Sequence, residues 1–239
     1  IATNVKALAV FPDNPDKILI STDSFRWDVR LQELHVQGLL KNQGIYMTYD
    51  SGKSWMKSSD GLHLHDLETI LASPINPDEL WTGQQAARGM YKSSDAGKTW
   101  ELFANYLSHY PMKMQYFPGY SNSMVATSSM YYSVMGFSYD NGNTWTMLGA
   151  KTFLDLVMKG INSTKQTFTK LIVDKIRDDD SPKGSIHLHG VAVNPENVDE
   201  IFVGSVSDPS VFTDVALKGV HLFKSKNGGK TWITIGEGL

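Results

Sequence analysis

Cysteine is absent from the 239 residues, which excludes disulfide frameworks, Cys-ligated metals and thiol catalysis together. Long apolar runs are missing as well. No stretch approaches the roughly 18 to 20 apolar residues that a membrane-spanning helix needs, so no membrane span is expected. There is no basic run, and the net charge is −3; a sequence-independent nucleic-acid surface is therefore not expected. Arginine is scarce, with Arg26, Arg30, Arg88 and Arg177 the full set. The chain opens Ile1-Ala2-Thr3-Asn4, with neither an initiator Met nor a signal peptide, so a processed, truncated or partly covered chain is expected. One tripeptide, Asn162-Ser163-Thr164, has the N-glycosylation acceptor pattern.

What is present is a repeat. Four segments share the pattern Ser/Thr-x-Asp/Asn-x-Gly-x-Thr/Ser-Trp: Thr48 to Trp55, Ser93 to Trp100, Ser138 to Trp145 and Ser225 to Trp232. Asp or Asn can accept hydrogen bonds from backbone N–H groups ahead of it, and Gly supplies the positive φ of a tight turn. The flanking Thr/Ser and Trp suit strands, and Trp can bury a large area between neighbouring sheets. The structural residues expected are Asp50, Trp55, Asp95, Trp100, Asp140, Trp145, Asn227 and Trp232, with the carboxylates acting as turn staples, neither catalytic nor calcium-binding. A second repeat lies upstream. Ala9 to Ser21 matches Leu71 to Gly83 and Ala192 to Gly204, with a weaker copy over Gln115 to Thr127. Strand, Pro/Asn turn, strand is the reading.

The eight-residue pattern resembles the Asp box, or BNR repeat, of sialidases, sortilin-like receptors, xyloglucan-active glycoside hydrolases and a photosystem II assembly factor. The resemblance covers all four segments. It implies an all-β propeller of four-stranded antiparallel blades, with each box at the turn between third and fourth strands. Blades are expected near 1–62, 63–107, 108–153 and 185–239, with an insertion over 153–184. Four blades are fewer than the six or more usual in such families. The chain also begins at an inner strand and ends just after an outer one. It is therefore expected to belong to a larger propeller, completed by missing sequence or by a second chain.

Counting locates the insertions. Asp50 to Asp95 and Asp95 to Asp140 are each 45 residues, whereas Asp140 to Asn227 is 87. The excess falls after the third box, over about 153–184, with smaller insertions at 23–44 and 207–219. In a blade of this kind all three project from the face opposite the boxes, called the top. Long loops on one rim of a rigid scaffold are where binding surfaces are built.

Three histidine clusters fall near the starts of inner strands: His63 with His65, His109, and His187 with His189. Strand alternation would put His63 and His65 on one side, and likewise His187 and His189. Together with Arg26, Trp27 and Arg88 they form the candidate ligand-binding set. No metal or cofactor is expected; His65 and His189 are the residues to hold a metal if one binds. Asp178–Asp180 has the carboxylates to bind calcium, but a charge run before Ser-Pro reads first as a solvated loop. The Met112 to Tyr116 stretch suits either a soft aromatic surface or a buried strand.

Candidate catalytic carboxylates are Asp23, Asp28, Asp66 and Glu68, because a glycosidase needs two, roughly 5 to 10 Å apart. Sialidases carry a Phe-Arg-Ile-Pro signature and an Arg triad. Phe25-Arg26-Trp27 departs from the former, and four arginines argue against the latter. The first expectation is a non-catalytic extracellular or surface propeller that binds a glycan or protein through its top loops. The second is an Asp-box glycoside hydrolase, and the third an assembly factor or subunit of a larger complex.

Overall fold

The computed structural model describes residues 4–23, 44–62, 67–84, 89–104, 111–130, 133–149, 187–206 and 220–235, with helical residues at 152–153, 155–156 and 159. The described chain is almost entirely strand and turn. The first sheet holds β1 (Asn4–Phe11), β2 (Asn14–Asp23), β3 (Gly44–Thr48) and β4 (Met56–Lys57). The second holds β5 (Leu67–Ala72), β6 (Leu80–Gln84), β7 (Gly89–Ser93) and β8 (Glu101–Ala104). The third holds β9 (Pro111–Phe117), β10 (Tyr120–Met130), β11 (Ser133–Ser138) and β12 (Thr146–Leu148). The fourth holds β13 (His187–Val193), β14 (Ile201–Val206), β15 (Val220–Ser225) and β16 (Ile233–Thr234). In each sheet the strands lie side by side in chain order, and the registered pairs are antiparallel. Four such meanders are four blades of an all-β propeller.

The repeated sequence explains the repeated turn. The residue after the Asp is left-handed in three of the four turns without being glycine, with φ of 57° at Ser51, 61° at Ala96 and 57° at Asn141. The Gly shared by the four repeats follows with φ between 80° and 89°. Two successive positive φ values reverse the chain, and a side chain must hold them there. Thr48 Oγ1 accepts the N–H of Gly52 at 2.9 Å and donates to Asp50 Oδ1 at 2.7 Å. Ser93 and Ser138 do the same for Gly97 and Gly142, each at 2.8 Å. In the fourth turn Asn227 Oδ1 accepts the Thr231 N–H at 2.9 Å, and its Nδ2 donates to Thr231 Oγ1 at 2.9 Å. An amide thus replaces the carboxylate by reversing one hydrogen bond.

Each repeated turn is also bonded to the turn between first and second strands of its own sheet or to the opening residues of the second strand. Ser51 N–H donates to Asp16 O at 3.1 Å, Ala96 to Asp78 at 2.9 Å, Asn141 to Asn122 at 2.7 Å and Gly228 to Asp199 at 3.0 Å. Both turns therefore share one end of the sheet. The connections from second to third strand, and from fourth strand to the next sheet, leave from the opposite end.

By its packing the chain divides into two compact units, Ile1–Pro111 and Met112–Leu239. In the first, Ala7, Ala9, Phe11, Leu19 and Met47 of the first sheet close a core with Leu67, Ile70, Leu80, Tyr91 and Trp100 of the second. Trp100 Nε1 donates to Ser58 O at 2.9 Å, so the ring is anchored in the preceding sheet's trailing segment. In the second, Phe117, Val125 and Met135 pack with Leu188, Val203, Phe223 and Trp232. Phe153 fills this core at 5.4 Å from both the Phe223 and Trp232 rings. It sits in a helical turn whose Leu156 carbonyl accepts the Trp232 N–H at 3.2 Å. The first residues after β12 are thus core, ahead of the long connection. Met112, Met114 and Tyr116 are buried along β9 with Lys113 exposed between them, which is strand burial and not a soft surface.

Candidate functional site

The candidate site is the strand end opposite the repeated turns. Asp23 closes β2 there and Gly44 opens β3; Val206 closes β14 and Val220 opens β15. The two insertions at 24–43 and 207–219 therefore leave and re-enter at this end, as their counting implied. The connection after β12 re-enters at His187, the first residue of β13 and at the same end of the fourth sheet.

The first strands carry the distinctive geometry. The β1–β2 ladder shifts register between Val5 and Ala7, leaving Lys6 as an extra residue. The β5–β6 ladder shifts between Leu67 and Thr69 around Glu68. The β13–β14 ladder shifts between Leu188 and Gly190 around His189. Each bulged residue stands six positions before its sheet's proline (Pro12, Pro74, Pro195). A bulge kinks the strand and re-aims a side chain at the cost of one ladder pair. The same device at the equivalent position of three separate sheets thus carries a Lys, a Glu and a His.

In the first unit two of these side chains meet. Lys6 Nζ lies 3.5 Å from Glu68 Oε1, with Glu68 largely buried and Lys6 about one-third exposed. Their backbones are tied by Ser21, whose hydroxyl accepts the Ala7 N–H at 3.0 Å and donates to Leu67 O at 2.9 Å. The hydroxyl fills the ladder gap that the bulge opens, which is why a small polar residue stands at position 21. In the second unit His189 is half-buried and interacts with neighbouring groups.

Of the catalytic candidates, Glu68 sits on the bulge and Asp23 pairs across from Asn4 at the end of β2. Asp28 and Asp66 lie outside the described residues. Of the ligand-binding set, His187 and His189 are on β13, while His63, His65, His109, Arg26, Trp27 and Arg88 lie outside the described residues. Asn162 and Asp178–Asp180 also lie outside them. Alternation does not relate His187 to His189, because the bulge falls at His189 itself. Among the described residues no group of three or more His, Asp or Glu could hold a metal ion. Lys6 is the residue that sequence reasoning missed. Its signal was available, since it stands at the same count from the proline as Glu68 and His189.

Two other charged clusters are structural. Lys92 Nζ is 2.7 Å from Glu79 and 4.9 Å above the Trp81 ring. Lys224 repeats this with Glu200 at 2.9 Å and Phe202 at 4.9 Å. The hydrogen bond from Lys224, joined by one from Asn194, holds the Glu200 carboxyl below its usual range. Both clusters sit near the repeated turns, away from the bulges.

No protein-family model matches the chain, and no curated protein matches it. Solved structures do. An ancestral GH74 enzyme superposes with TM-score 0.63 at 15% identity, over 98% of this chain and 24% of that one. The GH74 enzyme of Niastella koreensis gives 0.52 at 16% identity, over 96% and 38%. YCF48 from Cyanidioschyzon merolae gives 0.53 at 14% identity, over 96% and 55%. The chain thus spans about a quarter to just over half the length of these neighbours. Similarity at such identities concerns the fold, and the fold of this chain is an all-β propeller with four blades visible.

Proposed function

We propose that this is an Asp-box propeller that binds a glycan or a protein at the strand end opposite its boxes, outside the cytoplasm or at the cell surface. The observation that carries this reading is the matched bulge. Lys6 and Glu68 in the first unit, and His189 in the second, are each displaced from the ladder of their own sheet at the end opposite its repeated turn. A bulge re-aims a side chain or ends pairing, and bulges are over-represented next to active sites.

The test is binding by the purified chain to a panel of polysaccharides and sialosides, and co-purification of stoichiometric protein partners. Binding should fall at least tenfold in Lys6→Ala, Glu68→Gln or His189→Ala and be unchanged in Lys53→Ala, which alters the exposed tip of a box. Ligand affinity that ignores the three bulge changes would overturn the reading.

A second reading is a glycoside hydrolase using Glu68 with Asp23, Asp28 or Asp66. It is supported by the position of Glu68 on the bulge and by the fold likeness to GH74 enzymes. Released reducing sugar that disappears in Glu68→Gln favours it over simple binding. A partner bound with no sugar bound or released favours the assembly-subunit reading.

A further inference from the structure

One hydroxyl in the first unit stands between the backbones of both charged bulge residues. Ser21 Oγ accepts the Ala7 N–H at 3.0 Å and donates to the Leu67 carbonyl at 2.9 Å. The N–H belongs to the peptide group that joins Lys6 to Ala7, and the carbonyl to the one that joins Leu67 to Glu68. A single atom thus links the peptide after Lys6 on β1 to the peptide before Glu68 on β5. Ser21 is fully buried, and in such surroundings a donor and an acceptor in series strengthen one another.

The bulge itself does not call for this link. The residue paired just after the bulge is Ser21 opposite Ala7 in the first sheet, Gly83 opposite Thr69 in the second and Gly204 opposite Gly190 in the fourth. The second and fourth sheets therefore keep their bulges with no side chain at the place that Ser21 fills. Nor does a buried hydroxyl there make the link by default. Thr127 of the third sheet stands at the same count after its proline as Ser21 does, and its hydroxyl is buried without a hydrogen-bond partner.

The ion pair does not fix its own geometry either. At 3.5 Å, with about a third of Lys6 exposed, its attraction is small against the freedom of a long side chain. What brings the two groups together is where their backbones stand.

We propose that Ser21 is the positioning residue of the candidate site: its hydroxyl sets Lys6 against Glu68, so that the two meet a ligand as one element. This rests on the reading of the pair as a binding element given above. Ser21 itself touches no ligand, and its effect passes through the two peptide groups it joins.

The test compares Ser21→Gly with Ser21→Thr in the purified chain. The first installs the residue already found at 83 and 204, where the bulge persists, and the second keeps a hydroxyl. Ser93→Ala removes a buried hydroxyl at the box end of the second sheet and controls for lost stability. Two backbone signals report the link with no ligand present. In Ser21→Gly the Ala7 amide should exchange about tenfold faster or more. The Glu68 amide resonance should move, because its peptide carries the Leu67 carbonyl. Ser21→Thr should restore both. Affinity for whichever polysaccharide, sialoside or co-purified partner binds the wild type should fall about tenfold in Ser21→Gly and return to within about twofold in Ser21→Thr. Ser93→Ala should leave the Glu68 resonance and the affinity unchanged.

Ala7 and Glu68 signals that ignore Ser21→Gly overturn the link. Signals that move while affinity holds, with binding still lost in Lys6→Ala and Glu68→Gln, overturn the positioning role. Equal affinity losses in Ser21→Gly and Ser93→Ala make the effect one of stability and overturn it too. Binding that is absent, or indifferent to Lys6→Ala and Glu68→Gln, is a different pattern: it sinks the binding reading and this proposal with it.

Discussion

The Asp50 carboxylate takes both donors of Ser54, the backbone N–H at 2.9 Å and the hydroxyl at 2.6 Å. Those bonds, with one from Thr48, hold its pKa down to about 2. At Asp140 the Thr144 hydroxyl and N–H lower the pKa in the same way. At Asp95 burial pushes upward, and the bonds from Thr99 and Ser93 outweigh it, so the net shift is again downward.

A carboxylate whose folded pKa is depressed adds stability that is complete above its unfolded pKa of about 3.8 and is lost as pH falls toward the folded value. The urea midpoint should therefore be flat from pH 7 to 5 and fall between about pH 4 and 2. Asp50→Asn should shrink that fall, because Asn227 already fills the same place without titrating. Equilibrium unfolding at several pH values checks both; a midpoint that does not drop in acid would count against the turn as an acid-sensitive element.

Ser93 is buried and gives the Gly97 N–H its acceptor. Ser93→Ala leaves that buried donor unsatisfied and should cost about 1 to 3 kcal/mol. Ser93→Thr keeps the hydroxyl, as Thr48 does in the first turn, and should lie within about 1 kcal/mol of wild type. Denaturant titration of the pair separates the hydrogen bond from simple volume change.

Three glycines differ in what an added methyl would meet. At Gly61, φ is +84° and the Cβ would lie 2.0 Å from the Trp100 carbonyl oxygen. At Gly119, φ is +77° with open space around it, and at Gly204 φ is ordinary and the space again open. Alanine should cost about 3 kcal/mol or more at 61, about 1 to 2 at 119, and no more than about 0.5 at 204. Thermal melts of the three variants would show the order, and equal losses would refute it.

The Lys6–Glu68 pair should matter little to folding. At 3.5 Å with Lys6 partly exposed, a double-mutant cycle should give a coupling of about 0 to 1 kcal/mol. Loss of ligand binding in Lys6→Ala would then report on the site and not on stability. A coupling well above that range would make the pair a structural brace.

The sequence made local chemistry legible and non-local chemistry less so. The repeated turn lies within eight residues, so Ser93, Asp95, Gly97 and Thr99 announce their own geometry. The burial of its Trp does not. Trp100 is buried and Trp55 is 41% exposed in nearly identical octapeptides, because Trp100 enters a core shared with the sheet before it. The bulges were hidden for a related reason. An extra residue in β13 is defined only against β14, and reading β13 alone put His187 and His189 in simple alternation. The side to which the insertions belong was legible, since antiparallel order fixes it once the turns are placed. Most residues proposed on those insertions lie beyond what the structure describes.

The bond from the repeated turn to the start of the second strand or the turn before it, Ser51 N–H to Asp16 O and its three counterparts, has a further effect. It clamps second and third strands at the far end from the segment that joins them. That segment runs over 24–43 in the first sheet and only 131–132 in the third, yet Ile18 faces Thr48 just as Met124 faces Ser138. Lengthening a loop costs only a slowly growing closure entropy, and a clamp at the other end stops added residues from sliding the ladder. The joining segments are thereby free to change in length and composition while each blade keeps its register.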